Sequence, residues 1–373
     1  MMKNKTLKIL QVFESYPLFY QPYIPPVIEA LQKQTTLTIQ ICAYSGTKNI
    51  DANVTILPSY NYRRIFLRLA GLFNPIYKGL SYIGYKAIHD KVTIIHIQHS
   101  FLFSKILGLL KMSKSERPKI IITLRGGDTY VKPWIDERWR DFYKNYGDKV
   151  DAFIAMSKHQ KKYLQKWGIS ENKIHIIPIS FGLKSLAEPK YPNKEFVKII
   201  SAYRMCWEKN IEGNLRTIKV LKERGINVQY DIYGDGPDIG QVYYLIDKYG
   251  LKKEVNYFGK IENIIFKKKL KLYDFYLQLS HSESFGGVVV EAQSIGVPCI
   301  VSNSGGLPEA IIHGETGYCV NTNDIELAVD YIIKLWSDTK LYHSFSTEAI
   351  KYVNNNFTVK HEVNKIIKLY SEV

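Results

Sequence analysis

Short runs rich in Val, Ile, Leu and aromatic residues punctuate this sequence, and segments with helical spacing fill the intervals between them. In the first half the strand-like runs are 9–12, 37–42, 94–97, 120–124, 152–155 and 174–177. A second series follows at 197–201, 228–233, 255–258, 275–279, 299–302 and 317–320. Strand and helix in alternation build an α/β fold with doubly wound parallel sheets. The stretch 183–195, which holds Pro189 and Pro192, separates the two series and reads as a linker. At 373 residues the chain is long enough for two domains, each with its own core. The expected division is a first domain over 1–185, a second over 186–355, and a terminal segment over 356–373 carrying a helix at 357–370.

No apolar stretch approaches the roughly 20 residues of a membrane-spanning helix, and the start MMKNKTLKILQVF leads straight into a strand without a small-residue cleavage site. A cytoplasmic protein is the expectation. The four cysteines, Cys42, Cys206, Cys299 and Cys319, have no paired spacing, which argues against a disulfide framework or a zinc site. The net charge of +16 is confined to one half of the chain: residues 1–190 hold 29 Lys and Arg against 13 Asp and Glu, and residues 191–373 hold 22 against 22. That asymmetry implies an acidic partner for the first half, among membrane phospholipid, a lipid-linked pyrophosphate, an anionic glycan or nucleic acid.

Ligands of such sheets gather beyond the carboxyl ends of the strands, so the chemistry is sought in the loops there. The richest is HSESFGGVVVEAQSIGVPCIVSNSGGLPEAIIHGETGYCV, starting at His281. Glu283 follows a strand, Gly286 and Gly287 come next, and Glu291 lies in the expected helix 288–295. Glycines let an anionic group approach unpaired backbone N–H groups, which suits a phosphate. Carboxylates beside a phosphate would repel it, so Glu283 and Glu291 are better suited to accepting hydrogen bonds from sugar or ribose hydroxyls. A second glycine turn, Ser304-Gly305-Gly306 with Glu309, follows the next strand and is expected at the same edge. Phosphate and hydroxyls together point to a nucleotide or a nucleotide-sugar.

These residues resemble a family. Glu283, Ser284-Phe285-Gly286, Glu291-Ala292, Gly296-Val297-Pro298, Gly305-Gly306, Glu309 and Gly314 to Gly317 follow, in order, the E-x7-E segment of the retaining family-4 glycosyltransferases. The resemblance implies a GT-B fold of two facing Rossmann-like domains, with the nucleotide-sugar donor on the second, the acceptor on the first, and the terminal helix crossing back to the first. It implies that Glu283 contacts the donor sugar, that Phe285, Gly286 and Gly287 hold sugar and pyrophosphate through their amides, and that Glu291 binds the ribose. Arg204 and Lys209, at the end of the first strand of the second series, match the family's cation pair for the donor diphosphate. Gly234 and Lys260 match its next two strand ends. Catalysis is accordingly expected from Glu283, Arg204 and Lys209. No Asp-x-Asp motif is present, so metal-independent chemistry without a cofactor is expected.

The first half departs from the pattern. Where many members have a glycine-rich turn after the first strand, this chain has Glu14-Ser15-Tyr16-Pro17-Leu18-Phe19-Tyr20-Gln21, closer to some exopolysaccharide members. Where relatives have His before a glycine, Arg125 stands in Thr123-Leu124-Arg125-Gly126-Gly127-Asp128. A fixed cation cannot act as a base but can bind donor phosphate or an acidic acceptor. Arg125, His99 and Tyr16 are the acceptor-side candidates. In the segment from Tyr62, Ile65, Phe66, Leu69, Leu72, Phe73 and Ile76 recur at helical spacing, with Arg64 and Arg68 on another face. Such a helix can lie in a membrane interface or pack on a core. The reading is thus a hexosyl-type glycosyltransferase of bacterial cell-surface polysaccharide assembly, acting on a saccharide or polyprenyl-linked saccharide at the inner face of the cell membrane, with no nucleic-acid partner. A GT-B nucleotide-sugar epimerase and a non-catalytic basic protein that binds membrane or anionic glycan remain open. A nicotinamide-dependent oxidoreductase is disfavoured, since no strand precedes Gly-x-Gly-x-x-Gly with an acid at the right distance.

Overall fold

The structure, a computed structural model, describes residues 6–47 and 53–373. The chain forms two compact units: Met1–Pro178 together with Glu362–Val373, and Ile179–His361. Each is built on one parallel sheet.

In the first unit β1 (Leu7–Tyr16), β2 (Leu37–Gly46), β3 (Val54–Ile56), β4 (Ile94–Ile97), β5 (Lys119–Thr123), β6 (Ala152–Ala155) and β7 (Ile174–Ile176) pair in the order β3-β2-β1-β4-β5-β6-β7. The β1–β4 register sets Gln11 beside His96. Parallel strands covered on both faces read as near-continuous apolar runs, and here Leu10, Val12, Ile95, Ile97, Ile120, Ile122 and Phe153 are buried among Ile83, Leu109 and Phe142. Helix α1 (Ile24–Gln32) buries Ile24, Val27, Ile28 and Leu31.

The amphipathic segment forms α2 (Tyr60–Phe73), and the chain leaves the helix at Asn74, whose side chain accepts from the Ile76 amide. Proline at position 75 lacks the N–H that would continue the helix. None of the residues of α2 is buried. Phe66 holds it by edge-on contacts with Tyr82 and Tyr85 of α3 (Tyr82–His89). Leu69, Leu72 and Phe73 are 51%, 79% and 88% exposed. The core-packing reading of this periodicity is therefore wrong for most of the apolar face.

In the second unit β8 (Val197–Ala202), β9 (Val228–Tyr233), β10 (Val255–Tyr257), β11 (Phe275–Gln278), β12 (Cys299–Ser302) and β13 (Gly317–Val320) pair in the order β10-β9-β8-β11-β12-β13. Ile199, Ile232, Leu277 and Ile300 meet Leu215 and Ile218 from the helix Ile211–Glu223. Each fully buried side chain of this kind contributes roughly 1.5–3 kcal/mol. In both sheets the order reverses direction beside the first strand of the series, between β1 and β4 and between β8 and β11, which is where such sheets open a crevice for a ligand. Among the described residues no helix is long and apolar enough to cross a membrane.

Candidate active site

In the second unit the loop after β8 and the loop after β11 are docked to one another. The amide of His281 donates to the Glu208 carbonyl at 2.7 Å. Asn210, at φ 50°, caps the helix Ile211–Glu223 through Gly213 and donates to the Leu279 carbonyl at 2.9 Å. Asn214 receives the Leu279 amide and donates to the Lys209 carbonyl, both at 3.0 Å. These bonds bring Lys209 Nζ to 2.6 Å from Glu283 Oε2. Gln278 donates to the same oxygen at 2.9 Å, and the Ser284 amide reaches Oε1 at 3.0 Å.

Burial alone would raise the Glu283 pKa, but the Lys209 charge and these hydrogen bonds hold it below the usual carboxylate range. Burial would likewise lower Lys209, and Glu283 raises it above the ordinary lysine value. Both are therefore charged at neutral pH. Arg204 is exposed on the same loop as Lys209.

The second glycine turn closes on Glu283 from the other side. The Gly306 amide donates to the Glu283 carbonyl at 2.8 Å, and a Cβ on Gly305, at φ +61°, would collide with that carbonyl. The two glycine loops thus meet at one residue, as their spacing in the sequence anticipates. Gly286 is at φ +101° and leads into the helix Gly287–Gln293, which starts one residue and ends two residues earlier than the sequence reading. The Phe285 side chain is 1% exposed and packs on Phe357, so only its backbone faces the loop. Glu291 is buried, with Asn263 Nδ2 at 3.0 Å and Lys267 Nζ at 3.3 Å from its Oε1, and burial outweighs these partners to raise its pKa. Gly234, at φ +130°, fits against the Tyr203 carbonyl, where any side chain would collide. Lys260 pairs with Asp235 at 2.7 Å.

In the first unit Arg125 and His99 gather beside Asp128, and Tyr16 does not join them. Arg125 Nη2 donates to Gln98 Oε1 at 2.7 Å, and its guanidinium lies 5.5 Å from the centre of the Tyr23 ring. The loop that carries it is stapled by Asp128, a fully buried carboxylate that accepts from the amides of Arg125 and Gly126 and from Ser100 Oγ. His99 stacks on Phe101 at 3.9 Å, with Nδ1 4.0 Å from Asp128 Oδ2, and burial lowers its pKa. Tyr16, expected in the cleft, is a packing residue instead: its ring is 8% exposed against Phe13, and burial pushes its pKa up to about 12.

Sequence reasoning missed Gln278, Asn210, Asn214 and Asp128, which position the charged residues. Gln278 carried a signal, being the one polar residue in the apolar strand β11. Among the described residues no cluster of His, Cys, Asp and Glu suits a metal ion.

Two α/β units on parallel sheets, one of them holding a half-buried Lys–Glu pair between glycine loops at its sheet edge, fit the class of group-transfer enzymes. The family described as "Glycosyl transferases group 1" matches residues 186–352, and "Glycosyltransferase Family 4" matches residues 28–179. A protein of Klebsiella pneumoniae, described as "Uncharacterized 41.2 kDa protein in cps region", is 30% identical over 351 residues, spanning 88% of this chain and 90% of its own. The N-acetyl-alpha-D-glucosaminyl L-malate synthase of Bacillus anthracis is 26% identical over 302 residues, 77% of this chain and 76% of its own. Among solved structures, Anabaena HepE in complex with UDP and glucose superposes with a TM-score of 0.75 at 15% identity, over 98% of this chain and 100% of its own. The chain belongs to the family-4 glycosyltransferases: it is a glycosyltransferase of GT-B fold, with relatives in polysaccharide biosynthesis.

Proposed function

We propose that this enzyme transfers a sugar from a nucleoside-diphosphate donor, with retention at the anomeric carbon, to a saccharide or polyprenyl-linked saccharide destined for a bacterial cell-surface polysaccharide. The observation that carries the reading is the Lys209–Glu283 pair, held at 2.6 Å between two glycine loops. A diphosphate approaching this edge competes with Glu283 for Lys209, and Arg204 on the same loop adds a second cation. As charge builds on the departing diphosphate, these cations stabilise it. Glu283, released from Lys209, accepts hydrogen bonds from the donor sugar. Glu291 takes the ribose hydroxyls, and the amides of Phe285, Gly286 and Gly287 orient the diphosphate. Gly234 lets backbone approach backbone behind the site, and Lys260 lies beside the base. Protein cations replace a metal, so no cofactor is needed. Arg125 and His99 serve the acceptor side.

We further propose that the protein works at the cytoplasmic face of the membrane, held there through its first unit. An exposed apolar helix bearing Arg64 and Arg68, in the half of the chain that carries the whole excess of positive charge, supports that placement.

The test is a thermal-shift panel of UDP, GDP, ADP and CMP with their sugar conjugates, with and without EDTA. A ligand that binds the folded state alone raises Tm by mass action. Selective stabilisation by one diphosphate, unchanged by EDTA, is expected; no shift with any of them in folded protein overturns the donor reading. Products formed from donor alone would point instead to an epimerase.

A further inference from the structure

Behind Arg125 a continuous hydrogen-bonded chain crosses the first unit to its last helix, Val359–Glu372. An arginine can only donate, so its 2.7 Å bond to Gln98 Oε1 fixes which end of that amide faces the loop. Gln98 Nε2 therefore donates onward to Gln11 Oε1 at 2.7 Å, and Gln11 Nε2 donates to the Tyr370 hydroxyl at 2.8 Å. The Tyr370 oxygen lies 2.6 Å from His96 Nδ1 and gives its hydrogen there. Nδ1 is then the bare nitrogen, and Nε2–H donates to Thr123 Oγ1 at 2.7 Å. A single direction of donation thus runs from the cation to the imidazole, with the Tyr370 hydrogen and the His96 Nε2–H each meeting an acceptor.

The participants behind Arg125 are all buried: Gln11, His96, Gln98, Thr123 and Tyr370 are at most 6% exposed. A reversed amide here would leave donors facing donors, at about 1–3 kcal/mol for each unmet group. Burial, and then the nearby Arg125, lower the His96 pKa to about 3, so the ring is neutral as the direction requires. Arg125 Nε also reaches the Gln98 carbonyl at 3.3 Å, which leaves the guanidinium little freedom to turn.

We propose that Gln98, Gln11 and Tyr370 are positioning residues for Arg125: through this one-way chain the C-terminal helix sets the orientation of the guanidinium with which the enzyme meets its acceptor. The inference rests on the reading of Arg125 as an acceptor-side residue. A chain that merely docks the helix would be worth a few degrees of Tm and nothing else. A positioning chain also controls the motion of Arg125 and the use of acceptor.

The experiment uses the full chain, deuterated and 15N-labelled. The Arg125 Nε–H signal is identified by its loss in Arg125→Lys, and the His96 tautomer is read from its ring nitrogens. Wild type should show a slowly exchanging Nε–H and a His96 proton on Nε2. In Tyr370→Phe, and independently in Gln98→Met, the Nε–H should exchange at least tenfold faster in protein that still melts cooperatively. With undecaprenyl-pyrophosphate-linked N-acetylglucosamine as probe acceptor, Tyr370→Phe should raise the acceptor KM about tenfold and leave the donor KM unchanged. A His96 proton on Nδ1, or an Arg125 signal indifferent to both substitutions, overturns the chain. Unchanged acceptor KM in Tyr370→Phe, alongside a raised one in Arg125→Lys, overturns positioning but keeps Arg125 as an acceptor residue; unchanged KM in both removes Arg125 from the acceptor side. If wild type does not use the probe, that one saccharide is removed from the acceptor class proposed above, and the Nε–H measurement still decides the positioning.

Discussion

Glu283 and Lys209 are each worth more charged than neutral in the folded protein, and the two shifts have opposite consequences with pH. The Glu283 pKa is depressed, so its contribution is present above the ordinary carboxylate value of about 4.3 and is lost as pH falls through the folded value. The Lys209 pKa is raised, so its contribution is present below about 10.4 and is lost as pH climbs through the folded value. Urea titrations at a series of pH values should show a shallower acid limb for Glu283→Gln than for wild type. Lys209→Ala leaves a half-buried carboxylate without its cation, and a loss of about 2 kcal/mol is expected, less than for a fully enclosed pair because both side chains keep some water contact. Transfer should fall by about 10²-fold or more in either variant while each still folds; full activity in one of them would remove it from the site. Gly305→Ala should lose both stability and transfer, because its new methyl meets the Glu283 backbone rather than a side chain that could move aside. Circular dichroism melts and transfer rates on the same sample would show whether the two losses travel together.

Among the elements, α2 gives the sharpest prediction. Leu72 and Phe73 bury nothing, so Leu72→Glu with Phe73→Ser should change stability by no more than about 0.5 kcal/mol. The same substitutions should abolish co-sedimentation with vesicles of anionic phospholipid; retention on the vesicles would move the contact elsewhere. The exposure that makes this prediction possible was not legible in the sequence. A 3.6-residue period reports that a helix has an apolar face and is silent on what covers it. Strands were read more safely: β4, β6, β9, β12 and β13 begin and end where their apolar runs do, since both faces of a parallel sheet are covered. β3 was missed because Val54–Ile56 is too short to show a period, and β1 was under-read because it continues through Glu14 and Ser15 to pair with β2. At the site, motif spacing announced the glycine loops. Gln11 and Tyr370, hydrogen-bonded across 359 positions, had no local pattern to announce them.

At the scale of the whole molecule the positive charge remains the organising quantity. All of the excess lies before residue 191, in a half of the chain that the sequence reading assigned to the acceptor. Each basic side chain near an anionic surface adds about 1 kcal/mol at low salt, and the effect is screened within a Debye length of about 8 Å at physiological ionic strength. Vesicle binding should therefore weaken steeply between 50 mM and 300 mM NaCl, whereas donor-induced thermal shifts, which depend on a largely buried pair, should change much less. Equal salt dependence of the two would argue against separate surfaces. One further consequence belongs to the route of the chain. The second unit is a single continuous segment, whereas the first is assembled from residues near both ends, Tyr370 among them. A ribosome delivers residues in order, so the unit begun first is the one finished last, after the other is already whole. Limited proteolysis of nascent chains stalled before and after residue 370 would time it. The guanidinium assigned to the acceptor would find its final setting only once residue 370 has left the ribosome, and a chain stalled before it would be able to hold a donor before it could use one.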